Sequence, residues 1–155
     1  RRLAFEPLPE EEVASFVARR TEANPEDALR LARMSGFAPG RAWSLALAGA
    51  LPLDDAARDL IRDLPEVDEA FALSLADRFR GADGPVVFDL LLERLADRVH
   101  AFAVDRAAQG IGGLDRWAQA WETLRRLPRE VDAVNLDRAD ALFTALASLR
   151  EAARA

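Results

Sequence analysis

The feature that most constrains this chain is the spacing of its apolar residues between positions 88 and 102. Phe88, Leu92, Leu95, Val99 and Phe102 recur in alternating steps of four and three, which puts them on one side of a helix with 3.6 residues per turn. Such a stripe has to be buried, and in a single chain the natural cover is other helices with stripes of their own. Those helices can be read on either side. Ala57, Leu60, Ile61 and Leu64 form one stripe, stopped by Pro65; Val67, Phe71, Leu75 and Phe79 form the next, stopped at Gly81. Asp83-Gly84-Pro85 restarts the chain before the best-patterned segment, and the glycine-rich break at 109–113 follows it. Beyond that break Leu114, Trp117, Trp121 and Leu124 share a face on a helix that Pro128 is expected to bend or end. Asn135-Leu136-Asp137 caps a last helix carrying Ala139, Leu142, Phe143, Leu146 and Leu149.

Nearer the start the helices are shorter. Pro9 suits a first helical turn, Glu10, Glu11 and Glu12 load the positive end of the helix dipole, and Val13, Phe16 and Val17 supply the apolar side as far as Arg20. Asn24-Pro25-Glu26-Asp27 reads as a cap, an N1 proline and acidic first-turn residues, opening a helix with Ala28, Leu29, Leu31 and Ala32 as core candidates. After the turn at 36–40, Ala42, Leu45 and Ala46 lead a third helix to Gly49. Leu51-Pro52-Leu53 breaks the pattern and Asp54 offers a new N-cap, so a boundary is expected there, dividing the chain into 1–50 and 51–155. Residues 1–8 differ from everything else. Leu3, Phe5 and Leu8 alternate as a strand does, and because a lone strand is unstable the segment reads as the last strand of a sheet lying upstream. The expected class is therefore all-α, a three-helix bundle followed by a larger helical bundle, with a short leading strand remnant.

Composition removes several chemistries. All 21 basic residues are arginine, so no P-loop lysine and no lysine Schiff base can form. Without cysteine there is no thiol nucleophile, disulfide or zinc cluster, and His100, the single histidine, cannot build a metal site alone. A net charge of -6 argues against a domain that coats a nucleic-acid backbone. No window of eighteen apolar residues exists to span a bilayer, and three glutamates stand where a signal peptide would need its apolar centre. A cytoplasmic location is expected.

The remaining candidates have structural readings beside the chemical ones. Asp54-Asp55 and Glu66 with Asp68-Glu69 are paired acids of the kind used in general acid-base work, yet each sits where a helix starts and the dipole accounts for it. The glycines at 110, 112 and 113 lack the preceding strand and the lysine of a phosphate loop. Trp117 and Trp121 lie one turn apart, as core residues do; base stacking would require them exposed beside Arg116, Arg125 and Arg126, and Asp115 and Glu122 dilute that patch. No catalytic residue and no metal ligand is proposed.

One stretch carries a resemblance. Met34-Ser35-Gly36-Phe37-Ala38-Pro39-Gly40-Arg41-Ala42-Trp43 is a glycine-proline turn between helices with an arginine opening the second, and it is similar to the segment joining two helices in the lid of clamp-loader AAA+ proteins. Taken with the strand, the three short helices, the boundary and the larger bundle, the whole chain resembles the delta-prime family of bacterial DNA polymerase III clamp-loader subunits. The ending, Trp121-Glu122 followed by Val134-Asn135-Leu136-Asp137-Arg138, is similar to the end of alphaproteobacterial members.

The resemblance implies that 1–8 closes an AAA+ base domain, that the helices up to 50 are its lid, and that 51–155 is the collar holding the loader together. It makes Arg41 the sensor-2-like arginine, which in ATP-hydrolysing relatives points at nucleotide phosphates and is the one candidate cofactor-binding residue. The family generally does not hydrolyse ATP, its arginine finger would lie upstream of Arg1, and no cofactor is expected in this piece. Implied partners are the gamma/tau-type ATPase and delta subunits, with the sliding clamp and primer-template DNA met only through the whole complex and no membrane involved. An isolated piece with an uncovered collar face is expected to be able to homodimerise. Two alternatives stand beside this one: the lid and collar of an ATP-hydrolysing loader subunit, and an unrelated helical interaction adaptor.

Overall fold

The structure, a computed structural model, describes residues 8–154. Among them the chain is all-helical, with eight helices in two compact units that divide between Pro52 and Leu53. The leading strand expected at 1–8 lies outside the described residues except for Leu8, which is not in a strand.

In the first unit α1 (Glu10–Arg20), α2 (Pro25–Met34) and α3 (Pro39–Leu47) pack pairwise. Pro9 precedes α1 instead of entering it, and its carbonyl accepts from the amides of Glu12 and Val13. Asn24 caps α2 through its side-chain oxygen, which accepts from the Asp27 amide at 2.9 Å, and Pro25 takes the N1 place where a missing N–H costs nothing. The end of α2 explains the glycine that follows. Gly36 donates to the Arg33 carbonyl and Phe37 to the Ala32 carbonyl, both at 3.0 Å, a Schellman closure that needs a left-handed residue after the cap. Gly36 takes φ 62° at no steric cost, whereas Phe37 takes φ 62° with a side chain attached, at a cost on the order of 1 kcal/mol. Val13, Val17, Leu31, Ala32, Ala42 and Leu45 are the buried centre.

The second unit is built on α4 (Ala50–Arg62) from Leu53 onward, α5 (Glu69–Asp77), α6 (Gly84–Ala108), α7 (Leu114–Val134) and α8 (Arg138–Ala153). Helix α6 packs on α7, α7 on α8, and α5 on α8. Phe88, Leu91, Leu92, Leu95, Leu124, Leu142, Leu146 and Leu149 are wholly enclosed. Asp68 and Asp137 cap α5 and α8 by accepting from the amides of Ala70 and Ala139, each at 2.8 Å. Phe79 and Phe88 meet edge to face with ring centres 5.2 Å apart. Gly84 is required just there, since a Cβ on it would lie 1.8 Å from the Phe79 carbonyl oxygen.

Three local expectations are corrected. Leu51-Pro52-Leu53 does not break the chain: α4 already begins at Ala50, which puts Pro52 in a first turn whose N–H groups have no intrahelical acceptor to lose. Asp54 is consequently inside a helix and is no N-cap. Pro128 does not end α7, which runs on to Val134; Leu127 and Val131 on either side of it are buried, and that packing outweighs the one backbone hydrogen bond a proline forfeits.

Candidate interaction surfaces

Arg41 is the third residue of α3 and is exposed to solvent. The α3 amino terminus around it has no side-chain cap hydrogen bond and no acidic residue in its first turn, and Glu11 and Glu12 of α1 line a hollow with its Pro39. Beside it the first unit shows an apolar strip. Trp43 and Leu47 lie one turn apart on α3 and are both exposed, Leu47 by 70%. The Arg20 guanidinium is placed over two rings, 5.1 Å from the centre of Phe16 and 5.6 Å from that of Trp43, a cation–π contact that holds the indole in place.

The second unit carries two more surfaces, both along the later part of α6. One is a cleft of about 590 Å³ whose walls bring four arginines together: Arg58 and Arg62 from α4, Arg98 and Arg106 from α6. Its apolar lining includes Ile61, Leu64, Phe102 and Trp117, and Asp105 is its one acidic residue. Three of the arginines are paired with carboxylates. Asp54, 8% exposed, receives Arg98 in a two-pronged bond, Nε at 3.2 Å and Nη2 at 2.7 Å. Arg62 donates to Asp59 at 2.9 Å and to Asp63 at 2.8 Å; the hydrogen bond and charge of Asp63 raise the guanidinium above its ordinary value, and Arg62 in turn lowers the Asp63 carboxyl. Arg58 stands 3.1 Å from Asp55. The Arg106 guanidinium lies over the Phe102 ring at 5.5 Å and donates to the Gly112 carbonyl at 3.4 Å.

The other surface is a shallow apolar groove of about 250 Å³ bounded by Val104 and Ala107 of α6 and Leu114, Ala118 and Trp121 of α7. Here the two tryptophans expected in the core separate. Trp117 is buried with its ring 4.6 Å from Phe102, whereas Trp121 is 37% exposed, with His100 at 6.4 Å and the Arg125 guanidinium at 5.9 Å from its ring. A spacing of four residues overshoots a full turn by about 40°, enough to carry the second ring past the edge of a helix covered on one side. His100 therefore stands at an aromatic contact.

The paired acids are resolved separately. Asp68 caps α5, which leaves the helix-start reading intact for that group; Asp54 caps nothing, because it lies inside α4, where it pairs with Arg98. That pairing spans 44 residues and has no signature in local spacing. The glycines after α6 close it: Gly110 takes φ 69° and Ile111 donates to the Arg106 carbonyl at 2.9 Å, again a Schellman end. Among the described residues no group of three or more His, Asp or Glu side chains is placed to hold a metal ion, and no helix is long and apolar enough to cross a membrane. Asp89 has its carboxyl raised, first by burial and then by the charge of Asp132, against a smaller opposite pull from Arg138. No protein-family model, curated protein or solved structure matches this chain.

Proposed function

We propose that this chain is the non-catalytic lid and collar portion of a delta-prime-like subunit of a bacterial DNA polymerase III clamp loader, acting in the cytoplasm to assemble the complex that places the sliding clamp on DNA. In this reading the three-helix unit is the lid, the five-helix unit is the collar, and the chain contributes surface and rigidity but no bond-making residue. The observation that carries it is the order and content of the two units: three short helices with Arg41 in the first turn of the third, then a separate, larger bundle whose outer surface keeps Val104 and Trp121 exposed. A collar subunit has to bury such surface against neighbours, and interfaces are enriched in aromatic residues and arginine. The chain supplies both at its exposed positions.

Size-exclusion chromatography of the full chain with the delta and gamma/tau-type ATPase subunits tests the proposal. Co-elution of all three is the expected result; a folded chain that elutes alone overturns it. A second reading, that the chain belongs to an ATP-hydrolysing loader subunit, is favoured by the uncapped amino terminus of α3 beside Arg41, since such a terminus suits an anion. Arg41→Ala separates the two. It leaves ATPase of the assembled loader unchanged in a delta-prime-like chain and lowers it in an ATP-hydrolysing one.

A further inference from the structure

We propose that the arginine-walled cleft of the second unit binds an acidic peptide segment of a partner protein, with carboxylates on the arginines and one apolar side chain on the Phe102 floor. The proposal is independent of the clamp-loader reading. It begins with register. On α6 Arg98, Phe102 and Arg106 follow one another at four-residue steps, cation, ring, cation, and α4 adds Arg58 and Arg62, one turn apart, with Ile61 to the same cleft. The eight residues from Arg98 to Arg106 correspond to about 12 Å along the helix. An extended peptide presents residues i, i+2 and i+4 on one face over about 13 Å, so a segment reading acidic, any, apolar, any, acidic matches the comb.

The arginines are set in position before a ligand arrives. Asp54 fixes the Arg98 fork by two hydrogen bonds, and Asp59 and Asp63 do the same for Arg62. A guanidinium has five N–H donors, more than these carboxylates occupy, and fixing the side chain in advance removes part of the ordering cost of binding. Arg106 is set by the Phe102 ring and by the Gly112 carbonyl, to which its Nη2 donates at 3.4 Å. A cleft of about 590 Å³ holds a few side chains, within the range of ligand sites.

Charge selects the class of ligand. A polynucleotide requires a continuous basic track, but Asp54, Asp55, Asp59 and Asp63 pair with these arginines and Asp105 lies within the cleft. What remains is short-range and directional. It suits individual carboxylates meeting planar guanidinium forks, the geometry in which arginine excels.

The test is fluorescence anisotropy with the full chain and a labelled peptide repeating Glu-Ser-Leu-Ser-Glu. Saturable binding is expected, weakened about tenfold or more when Gln replaces Glu in the peptide and weakened again when Ser replaces Leu. The protein variant Arg62→Gln with Arg106→Gln should lose about tenfold while Arg126→Gln, on α7 away from the cleft, changes nothing; circular dichroism establishes that each is folded, and Arg62→Gln alone, at an exposed side chain, serves if the double variant is not. Absence of saturable binding, equal affinity for the Gln peptide, insensitivity to the arginine changes, or tighter binding of labelled oligothymidylate would each overturn the proposal.

Discussion

Helix α6 is one element with two characters. Over residues 84–99 it buries Phe88, Leu90, Leu91, Leu92, Leu95, Ala96 and Val99, more than one stripe, and even Arg94 is only 2% exposed, held by Glu93 and Asp97 at 2.9 Å each. Over residues 100–108 nothing is fully buried. Val104 is 52% exposed, and Phe102 and Arg106 face the cleft. A helix continuous through both halves lets the enclosed one act as an anchor and projects the other as a rigid platform. The platform takes its stiffness from the enclosed half, while the cleft draws on both, Arg98 from the first and Phe102 and Arg106 from the second, with the buried Trp117 of α7 in its wall.

The sharpest way to break that contrast is to truncate one residue in each half. Leu95→Ala empties a fully enclosed position and should cost about 2–5 kcal/mol, while Val104→Ala should stay within about 0.5 kcal/mol. Thermal or urea unfolding followed by circular dichroism checks both. Equal losses would show that the platform carries as much of the stability as the anchor. Next in size is Gly84→Ala, where the added methyl meets backbone and not a flexible side chain. Gly84 does not need a left-handed φ, so the whole effect is steric, about 1–3 kcal/mol as for other overpacked sites, and it should be accompanied by loss of the Phe79 on Phe88 contact in near-ultraviolet dichroism.

The contrast between the halves was only partly legible in the sequence. The steps of four and three from Phe88 to Phe102 gave the helix and one buried face, because periodicity reports local geometry. They gave no hint that Leu90, Leu91 and Arg94 would be enclosed too, since that depends on how many neighbours arrive, and a second buried face erases the periodic contrast on which the reading relies. The candidate site was hidden for a related reason. Arg58, Arg62, Arg98 and Arg106 were unremarkable surface arginines until α4 and α6 met, and Asp54 looked like a helix cap because Pro52 beside it looked like a break. Local rules rank a proline by its average cost; its position within the first turn sets the actual one. Of the two outcomes expected at Pro128, a bend or an end, the end is overturned, since α7 runs on to Val134 with Leu127 and Val131 buried. The caps at Asn24 and Asp137 are local and legible in the sequence, as are the turn at Gly36 and the helix start at Asp68.

The Asp54–Arg98 pair joins α4 to the start of the platform, and its two members are unequally covered: the Asp54 side chain is 12% exposed and that of Arg98 29%. Arg98→Met takes a two-pronged donor from a well-covered carboxylate, whereas Asp54→Asn leaves a guanidinium that can turn toward water. The first should therefore cost more, about 1–3 kcal/mol against about 1 kcal/mol. A double-mutant cycle read by urea unfolding should return a coupling of about 0.5–3 kcal/mol. Additive effects would mean that the pair is geometry without energy, and the platform would then be fixed by packing alone.

The smallest effect lies at Asp89, on the anchor half but at its exposed margin. Burial and the negative charge of Asp132 raise its carboxyl above the ordinary value of 3.8, so the fold disfavours the ionised form relative to the unfolded chain. The sign follows from linkage: a carboxyl raised on folding lowers stability above its folded pKa, and that loss is regained as pH falls through the raised value toward the unfolded one. Asp89→Asn removes the ionisation and should raise the unfolding midpoint at neutral pH, by less than about 0.5 kcal/mol equivalent for so exposed a side chain. The gain should fade as pH falls through the raised folded value and be gone below the ordinary 3.8, where the carboxyl is protonated in the native and the unfolded chain alike. Asp132→Asn should give part of the same gain, because it removes the second cause and leaves the first. If Asp89→Asn instead lowers the midpoint at neutral pH, Arg138 outweighs both, and the margin of the anchor is held by an attraction where the present balance of charges calls for a repulsion.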